Sequence, residues 1–277
     1  MDLSIVIVSW NVLEKLRSNL RALFKSQGAF KFEVIVIDNN SQDGSASMVK
    51  KEFPQVVLIE NSENLGFSKA NNQGIKIAQG RYILLLNPDM QVYSDTLDTT
   101  LFFVQENQNI TVVGCKLENE RGDIVKQVRR FPKFIDQLLI VLKVPHIFPA
   151  VLNNYLCAGF NYEVSAKVDS VRGAFFLINK DNFQKISGNE KPFLDERYFI
   201  WFEEVDFCRE VYKLGGEVWY FSGAKCLDYV GASFSQVKLS KKQKYVSDSM
   251  LKYFKKWGKN WEYIILKIVW KLVRIFV

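Results

Sequence analysis

Apolar positions in the first ninety residues fall into short continuous runs separated by segments of helical spacing. Residues 3–9 (LSIVIVS), 32–38 (FEVIVID), 56–60 (VVLIE) and 82–86 (YILLL) read as strands. Runs this apolar suit strands buried on both faces. Between the first two, Leu13, Leu16, Leu20 and Leu23 recur with helical period, so 13–24 is predicted helical; 46–52 and 67–78 give the next two helices. The loop 39–45 (NNSQDGS) is rich in turn formers and offers a cap for the helix after it. Strand–helix alternation of this kind predicts an α/β fold, a parallel sheet with helices on both faces. No internal repeat or low-complexity linker interrupts it.

The strand over 82–86 stops at Asn87-Pro88-Asp89, because Pro88 has no N–H to donate to a ladder. Asp89 therefore stands just beyond the carboxyl end of a central strand, where open α/β sheets bind ligands. Asn-Pro-Asp is also an ordinary turn closed by an Asx bond. The first two strands bring Ser9-Trp10-Asn11 and Asp38 to the same rim. Trp10 offers a flat surface to a nucleobase, and Asp38 an acceptor for the N3–H of uracil or thymine. Capping a helix or bracing the loop is the competing role for Asp38. Neither GxGxxG after the first strand nor GxxxxGK[ST] occurs, which argues against a dinucleotide dehydrogenase and a P-loop NTPase.

The ordered blocks VSWN, VIDNNSQDGS, NLGFSKANNQGI and LLLNPD, followed by VRGAFFLI, PFLDERYFIWFEEVDFCRE and CLDYVGAS, resemble glycosyltransferase family 2, in particular its rhamnosyltransferase-like branch. The resemblance runs over roughly residues 3–233. It implies a GT-A fold (Rossmann-like, mainly parallel), a nucleotide-sugar donor, a divalent metal and inversion at the anomeric carbon. Residues 1–237 then form the transferase domain, with a nucleotide-sugar half over about 1–116 and an acceptor half over about 117–237.

The same resemblance assigns roles to residues. Asn87-Pro88-Asp89 stands where the family has Asp-x-Asp, which makes Asp89 the carboxylate for Mg²⁺ or Mn²⁺; Asn87 keeps an oxygen without the charge. Ser9, Trp10, Asn11, Asp38, Asn64, Gly66 and Lys69 fall in the donor blocks. Arg129 or Arg130, in VRRFP, meets the diphosphate on this reading; a solvated basic pair is the equal alternative. Glu203-Glu204-Val205-Asp206 takes the place of the family's Glu-Asp pair, whose aspartate is the base, so Glu204 is the expected base. Neighbouring helix positions point about 100° apart, which leaves Glu203 as the alternative and Asp206 as a supporting group. A solvated acidic first turn, favoured by the helix dipole, is the non-catalytic reading. Gly173 and Ala174 fall under the sugar, and Asp195 and Glu196 near the acceptor. Asp228 replaces the family's histidine ligand with a harder oxygen donor.

Composition adds a location. The chain has 277 residues, 48% hydrophobic and 24% charged, so it is globular, and its net charge of +7 is concentrated after residue 238. Residues 238–277 read as a basic amphipathic helical tail. Lys267, Lys271 and Arg274 form a stripe in an otherwise apolar end, too charged to span a bilayer. Trp257, Trp261 and Trp270 suit a helix lying in a membrane interface over 257–277; a homo-oligomer interface is the alternative. The four cysteines lack CxxC spacing, and the chain starts with no basic and apolar leader, so a cytoplasmic protein, peripheral on the inner face of the membrane, is expected. The only histidine, His146, sits in the apolar stretch 134–152, which suits a flap or a buried helical pair. The expected reaction moves one sugar, rhamnose from dTDP-rhamnose, to a polyisoprenoid-linked saccharide. A UDP-hexose or UDP-N-acetylhexosamine donor is the alternative, and a weakly catalytic sugar-binding or scaffolding relative is the other class. Nucleic acid is not an expected partner.

Overall fold

Three parallel strands form the first part of the sheet in the computed structural model, which describes residues 1–26, 28–229 and 237–275, the last two of these by backbone alone. β1 (Leu3–Ser9) pairs with β2 (Phe32–Asp38), and β2 with β3 (Val57–Glu60); α1 (Leu13–Lys25), α2 (Ser45–Glu52) and α3 (Phe67–Ile77) make the crossovers. β4 (Tyr82–Leu86) is parallel to β1 on its other side. The predicted elements agree with these to within two residues at each boundary.

Past Asp89 the pattern changes. The chain continues through β5 (Met90–Val92), α4 (Thr96–Glu106), β6 (Ile110–Glu118), α5 (Phe134–Val141), β7 (Ala166–Lys167), β8 (Phe175–Asn179), α6 (Lys180–Ser187), α7 (Glu203–Lys213) and β9 (Glu217–Asp228). β8 runs antiparallel between β4 and β6, and β5 and β7 pair antiparallel with β9. The strand order β3-β2-β1-β4-β8-β6-β9-β5 is one continuous sheet. It is therefore parallel in its first half and mixed in its second, and it crosses the boundary near residue 116 without a break.

Strand side chains alternate between two cores, as the two-residue period of a pleated strand requires. Tyr82, Leu84 and Leu86 face α1 and α4, with Leu16, Leu20, Leu97 and Leu101. Ile83 and Leu85 face the other side, with Ala70 of α3, Phe183 of α6, and Phe207 and Val211 of α7. All five β4 residues are buried, and a fully buried Leu or Ile contributes roughly 1.5–3 kcal/mol.

A third apolar cluster holds the end of the chain. α8 (Leu239–Trp257) and α9 (Asn260–Ile275) pack Met250, Tyr253, Phe254 and Leu266 against Val141 of α5, Tyr198 and Phe202. Arg209 of α7 donates to the Tyr253 hydroxyl at 2.8 Å, and the Ser249 hydroxyl donates to the Ile200 carbonyl at 2.8 Å. α8 is thus packed onto α7 and the chain before it instead of extending away. The stretch 134–152 is α5 followed by two 3-10 turns, Val144–His146 and Pro149–Leu152, with His146 exposed.

Candidate active site

The carboxyl ends of β1, β2 and β4 open on a cavity of about 510 Å³. Trp10, Asn39, Asn64 and Gly66 line one side; Asn87, Pro88, Asp89, Arg172, Gly173, Ala174 and Asp228 line the floor; Glu203 and Glu204 stand over it. This gathers into one space residues from Val8 to Tyr245, among them sequence candidates as far apart as Trp10 and Asp228. Ser9, Asn11, Asp38, Lys69, Arg129, Arg130, Asp195, Glu196 and Asp206 are not part of its lining.

Two of those outer residues sit directly behind Trp10. Ser9 and Asp38 are register partners across β1 and β2, both buried. Asp38 Oδ1 accepts from the Ser41 amide at 2.8 Å, while Asp38 Oδ2 and Ser9 Oγ have no hydrogen-bond partner. A buried polar atom left this way costs about 1–3 kcal/mol. Asn11 instead braces the loop, accepting from the Gln42 amide at 2.7 Å. Asn39 donates to the Gly66 carbonyl at 3.1 Å and accepts from Asn61, which ties the loop before α3 to the strand ends. Gly66 has φ +83, and a Cβ there would lie 2.5 Å from the Phe199 carbonyl oxygen, so glycine is required twice over.

Asp89 and Asp228 are both buried and lie on neighbouring chains: Met90 faces Asp228 in the β5–β9 register, and the Tyr229 amide donates to the Asp89 carbonyl at 3.2 Å. Arg172 Nη1 donates to Asp228 Oδ2 at 3.1 Å. Two carboxylates are a donor set that fits Mg²⁺ or Mn²⁺, hard cations that take few protein oxygens and complete their shell with substrate phosphate and water. No cluster of three His, Cys, Asp or Glu donors occurs among the described residues. Val230 to Ser233 of the CLDYVGAS block lie outside them.

Glu203 and Glu204 open α7, and the two residues before it are strained. Trp201 has φ +64 and Phe202 φ +71, both in the left-handed region that bulky side chains avoid at roughly 1–2 kcal/mol each. The Asp206 amide bond to the Phe202 carbonyl, at 2.8 Å, and the Phe202–Tyr253 ring contact hold this kink. It turns both glutamates inward. Glu203 Oε2 and Glu204 Oε2 are buried without partners. Burial raises the Glu204 carboxyl above the ordinary glutamate range, with Arg172 opposing the rise. Burial and the neighbouring Glu204 charge push Glu203 well above it.

The remaining candidates lie elsewhere. Asp206 is buried behind α7, where it accepts from Lys256 Nζ at 2.7 Å, Trp257 Nε1 at 2.6 Å and the Tyr198 hydroxyl at 3.2 Å. Asp195 pairs with Arg197 and, at 3.6 Å, Lys256; Glu196 accepts from Asn72 at 3.1 Å. Arg129 turns back to its own loop, donating to the Val128 carbonyl at 2.7 Å. Arg172, Asn39, Phe199, Trp201, Lys241 and Tyr245 line the cavity and carry no role in the sequence reading. Arg172 was legible as the neighbour of Gly173; Lys241 and Tyr245 reach the site only through the packing of α8.

Residues 4–156 match the description "Glycosyl transferase family 2". The chain belongs to glycosyl transferase family 2. It is similar to a poly(ribitol-phosphate) beta-glucosyltransferase of Bacillus spizizenii, 35% identical over 128 residues, 44% of this chain and 20% of that protein. It is also similar to an N-acetylglucosaminyl-diphospho-decaprenol L-rhamnosyltransferase of Mycobacterium tuberculosis, 24% identical over 213 residues, 71% of this chain and 66% of that protein. The chain spans less than a third of the length of the first curated relatives it matches. Among solved structures, a mannosyltransferase from Pyrobaculum calidifontis in complex with GDP-Man and Mn²⁺ superposes with a TM-score of 0.60 at 14% identity, over 92% of this chain and 63% of that one. The α/β sheet of this chain is of the GT-A type seen in that structure.

Proposed function

We propose that this glycosyltransferase is metal-dependent and inverting, and that it moves a sugar from a pyrimidine nucleotide-sugar to a phosphate-bearing cell-surface saccharide. The observation that carries this is Glu204 Oε2, buried and unpartnered, in the same cavity as Asp89 and Asp228. Trp10, in the cavity lining, supplies a face for the base. Asp89, with Asp228, would hold Mg²⁺ or Mn²⁺, which supplies Lewis-acid neutralisation of the diphosphate charge. The Pyrobaculum relative binds GDP-Man and Mn²⁺, which supports a donor and metal of this general kind.

Glu204 takes the proton of the acceptor hydroxyl as that oxygen bonds to the anomeric carbon. The bond from that carbon to the diphosphate oxygen breaks, and the leaving oxygen keeps the electron pair. Attack is in line with departure, so the anomeric configuration inverts. Arg172 steadies the donor side beside Asp228. Rhamnose from dTDP-rhamnose to a polyisoprenoid-linked saccharide is the specific reaction we favour, supported by the mycobacterial relative. A UDP-hexose donor is the second reading, favoured by the poly(ribitol-phosphate) beta-glucosyltransferase. We place the enzyme at the inner face of the cell membrane, through the exposed apolar side of α9.

A thermal-shift screen of UDP, dTDP and GDP sugars with Mn²⁺ tests the donor, because a ligand at 100 times its Kd stabilises by about 2.7 kcal/mol. We expect a pyrimidine nucleotide-sugar to give the largest shift and chelator to remove most of it. A shift as large with chelator would overturn the metal, and no shift or turnover with any nucleotide-sugar would overturn the reaction.

A further inference from the structure

Beyond Glu204 the cavity continues along a wall built by the chain just before α7 and by α8. We propose that this wall, formed by Phe199, Trp201 and Tyr245 with Lys241 at its rim, is the acceptor subsite and takes a sugar carrying a phosphate group. The proposal deepens the transferase reading, on which it rests, by naming residues of the tail helix as substrate-binding.

The order of contacts through the site separates a donor side from an acceptor side. Asp228 is paired with Arg172, and Gly173 beside it lies under Glu204 and Phe67, a Cβ there falling 3.7 Å from each. The Phe67 amide donates to the Phe199 carbonyl at 2.6 Å, and the Phe199 ring stacks on Tyr245, centroids 4.5 Å apart and planes at 19°. In-line displacement puts the attacking hydroxyl on the far side of the anomeric carbon from the leaving diphosphate, with the base beside the hydroxyl. The carboxylate pair and Arg172 hold one end, so the aromatic wall is the end left for the acceptor.

That wall is built for a ring with apolar and polar faces. Aromatic side chains present flat apolar area at small entropic cost, and pockets use them with a few placed polar groups. The wall is also fixed, by the Ser249 bond to the Ile200 carbonyl and by the Phe67 amide. Lys241 lies one helical turn from Tyr245, its Nζ 5.8 Å from the Tyr245 ring centroid. It lines the cavity, and none of the ion pairs among the described residues involves it. Arg172 and Lys256, by contrast, are engaged with carboxylates. Residues 238–247 contain Lys238, Lys241, Lys242 and Lys244 and no acid, so the rim attracts anions. An ammonium binds phosphate as a point charge without demanding one geometry, which suits either a sugar diphosphate on a lipid or a phosphodiester polymer.

Calorimetric titration of the full chain, in chelator to silence the metal site, tests this with three probes: hexyl N-acetylglucosaminyl diphosphate, hexyl N-acetylglucosaminide and a ribitol-phosphate oligomer. We expect a phosphate-bearing probe to bind at least tenfold tighter than the neutral glycoside, and Lys241→Ala to abolish that preference. Tyr245→Ala should weaken both glycosides, while Tyr245→Phe, which keeps the stacking ring, should weaken neither. Preference for the diphosphate names the lipid-linked source, and preference for the oligomer names the polymer. Equal binding of charged and neutral probes by wild type, or a preference that survives Lys241→Ala, overturns the subsite. Donor turnover in water is followed separately; its absence would sink the transferase reading without touching the binding result.

Discussion

Replacing Glu204 by Gln keeps the side chain's shape and removes its capacity to take a proton. Transfer should slow by about 10²–10⁴-fold while nucleotide affinity holds, which single-turnover kinetics and titration would separate. Glu203→Gln should slow transfer far less, and the reverse ranking would make Glu203 the base. The two differ in a second, measurable way. Because burial and the Glu204 charge hold the folded Glu203 pKa well above its unfolded value, the native state keeps a proton that the unfolded chain releases. No stability is lost below the unfolded pKa, and stability falls as pH rises from there towards the folded pKa, by about 1.4 kcal/mol per pH unit. Glu203→Gln removes that loss, so the variant should gain melting temperature over wild type at pH 7.5 and little at pH 4. Asp89→Asn should end both transfer and the metal-dependent part of nucleotide binding. These residues were readable because each ends a strand or opens a helix at a place the sequence marks with Pro88 or an acidic turn. The Arg172–Asp228 pair was not, since it joins positions 56 apart, just before β8 and at the end of β9, in the mixed half where β6 links those two strands.

At the scale of elements, the first seven strands and helices were legible because each carries its own period. Leu13, Leu16, Leu20 and Leu23 mark α1 regardless of what it packs on. β8 was hidden, because a continuous apolar run such as Phe175–Asn179 says "buried strand" and nothing of its direction. α8 misleads in another way: it reads as part of a basic amphipathic tail, yet Lys256 is turned inward to Asp206 and, at 3.0 Å, Glu210. This seam has a testable weight. Asp206→Ala leaves the Trp257 indole N–H and the Tyr198 hydroxyl without their acceptor, while Lys256 keeps Glu210 and Asp195. A buried polar group left unsatisfied costs about 1–3 kcal/mol, and denaturant unfolding should show a loss of that order. An unchanged midpoint for Asp206→Ala would show that the α7–α8 seam is held by its aromatic contacts alone.

For the whole molecule, the tail joins two apolar surfaces into one. α9 buries Leu266, with Val269, Trp270 and Val273 packed on the third core, and leaves Trp261, Ile264, Ile265, Ile268 and Leu272 exposed. α5 lies against it, Phe134 meeting Trp261 with centroids 4.9 Å apart, and Ile135, Leu142, Ile147 and Phe148 are exposed from α5 and the turn after it. Lys133, Lys143, Lys267 and Lys271 are exposed around these residues, while Asp136 and Glu262 are drawn to helix-start amides at 3.2 and 2.7 Å. The Arg274 side chain lies outside the described residues. No helix among the described residues is long and apolar enough to cross a membrane. An apolar face ringed by lysines fits the surface of an anionic bilayer. Each lysine near such a surface contributes on the order of 1 kcal/mol, so two of them give loose binding and the isoleucines must supply the rest. Deleting α9 would bare the third core, so point changes are the cleaner test. Ile264→Asp with Ile268→Asp should abolish sedimentation with phosphatidylserine-containing vesicles at any salt. Lys267→Glu with Lys271→Glu should weaken it most at low salt, where the Debye length is about 30 Å at 0.01 M. Both variants should keep the wild-type melting temperature, because the changed side chains face away from the core. If wild type ignores vesicles and the isoleucine variant instead converts a dimer to a monomer, this face joins two copies of the chain.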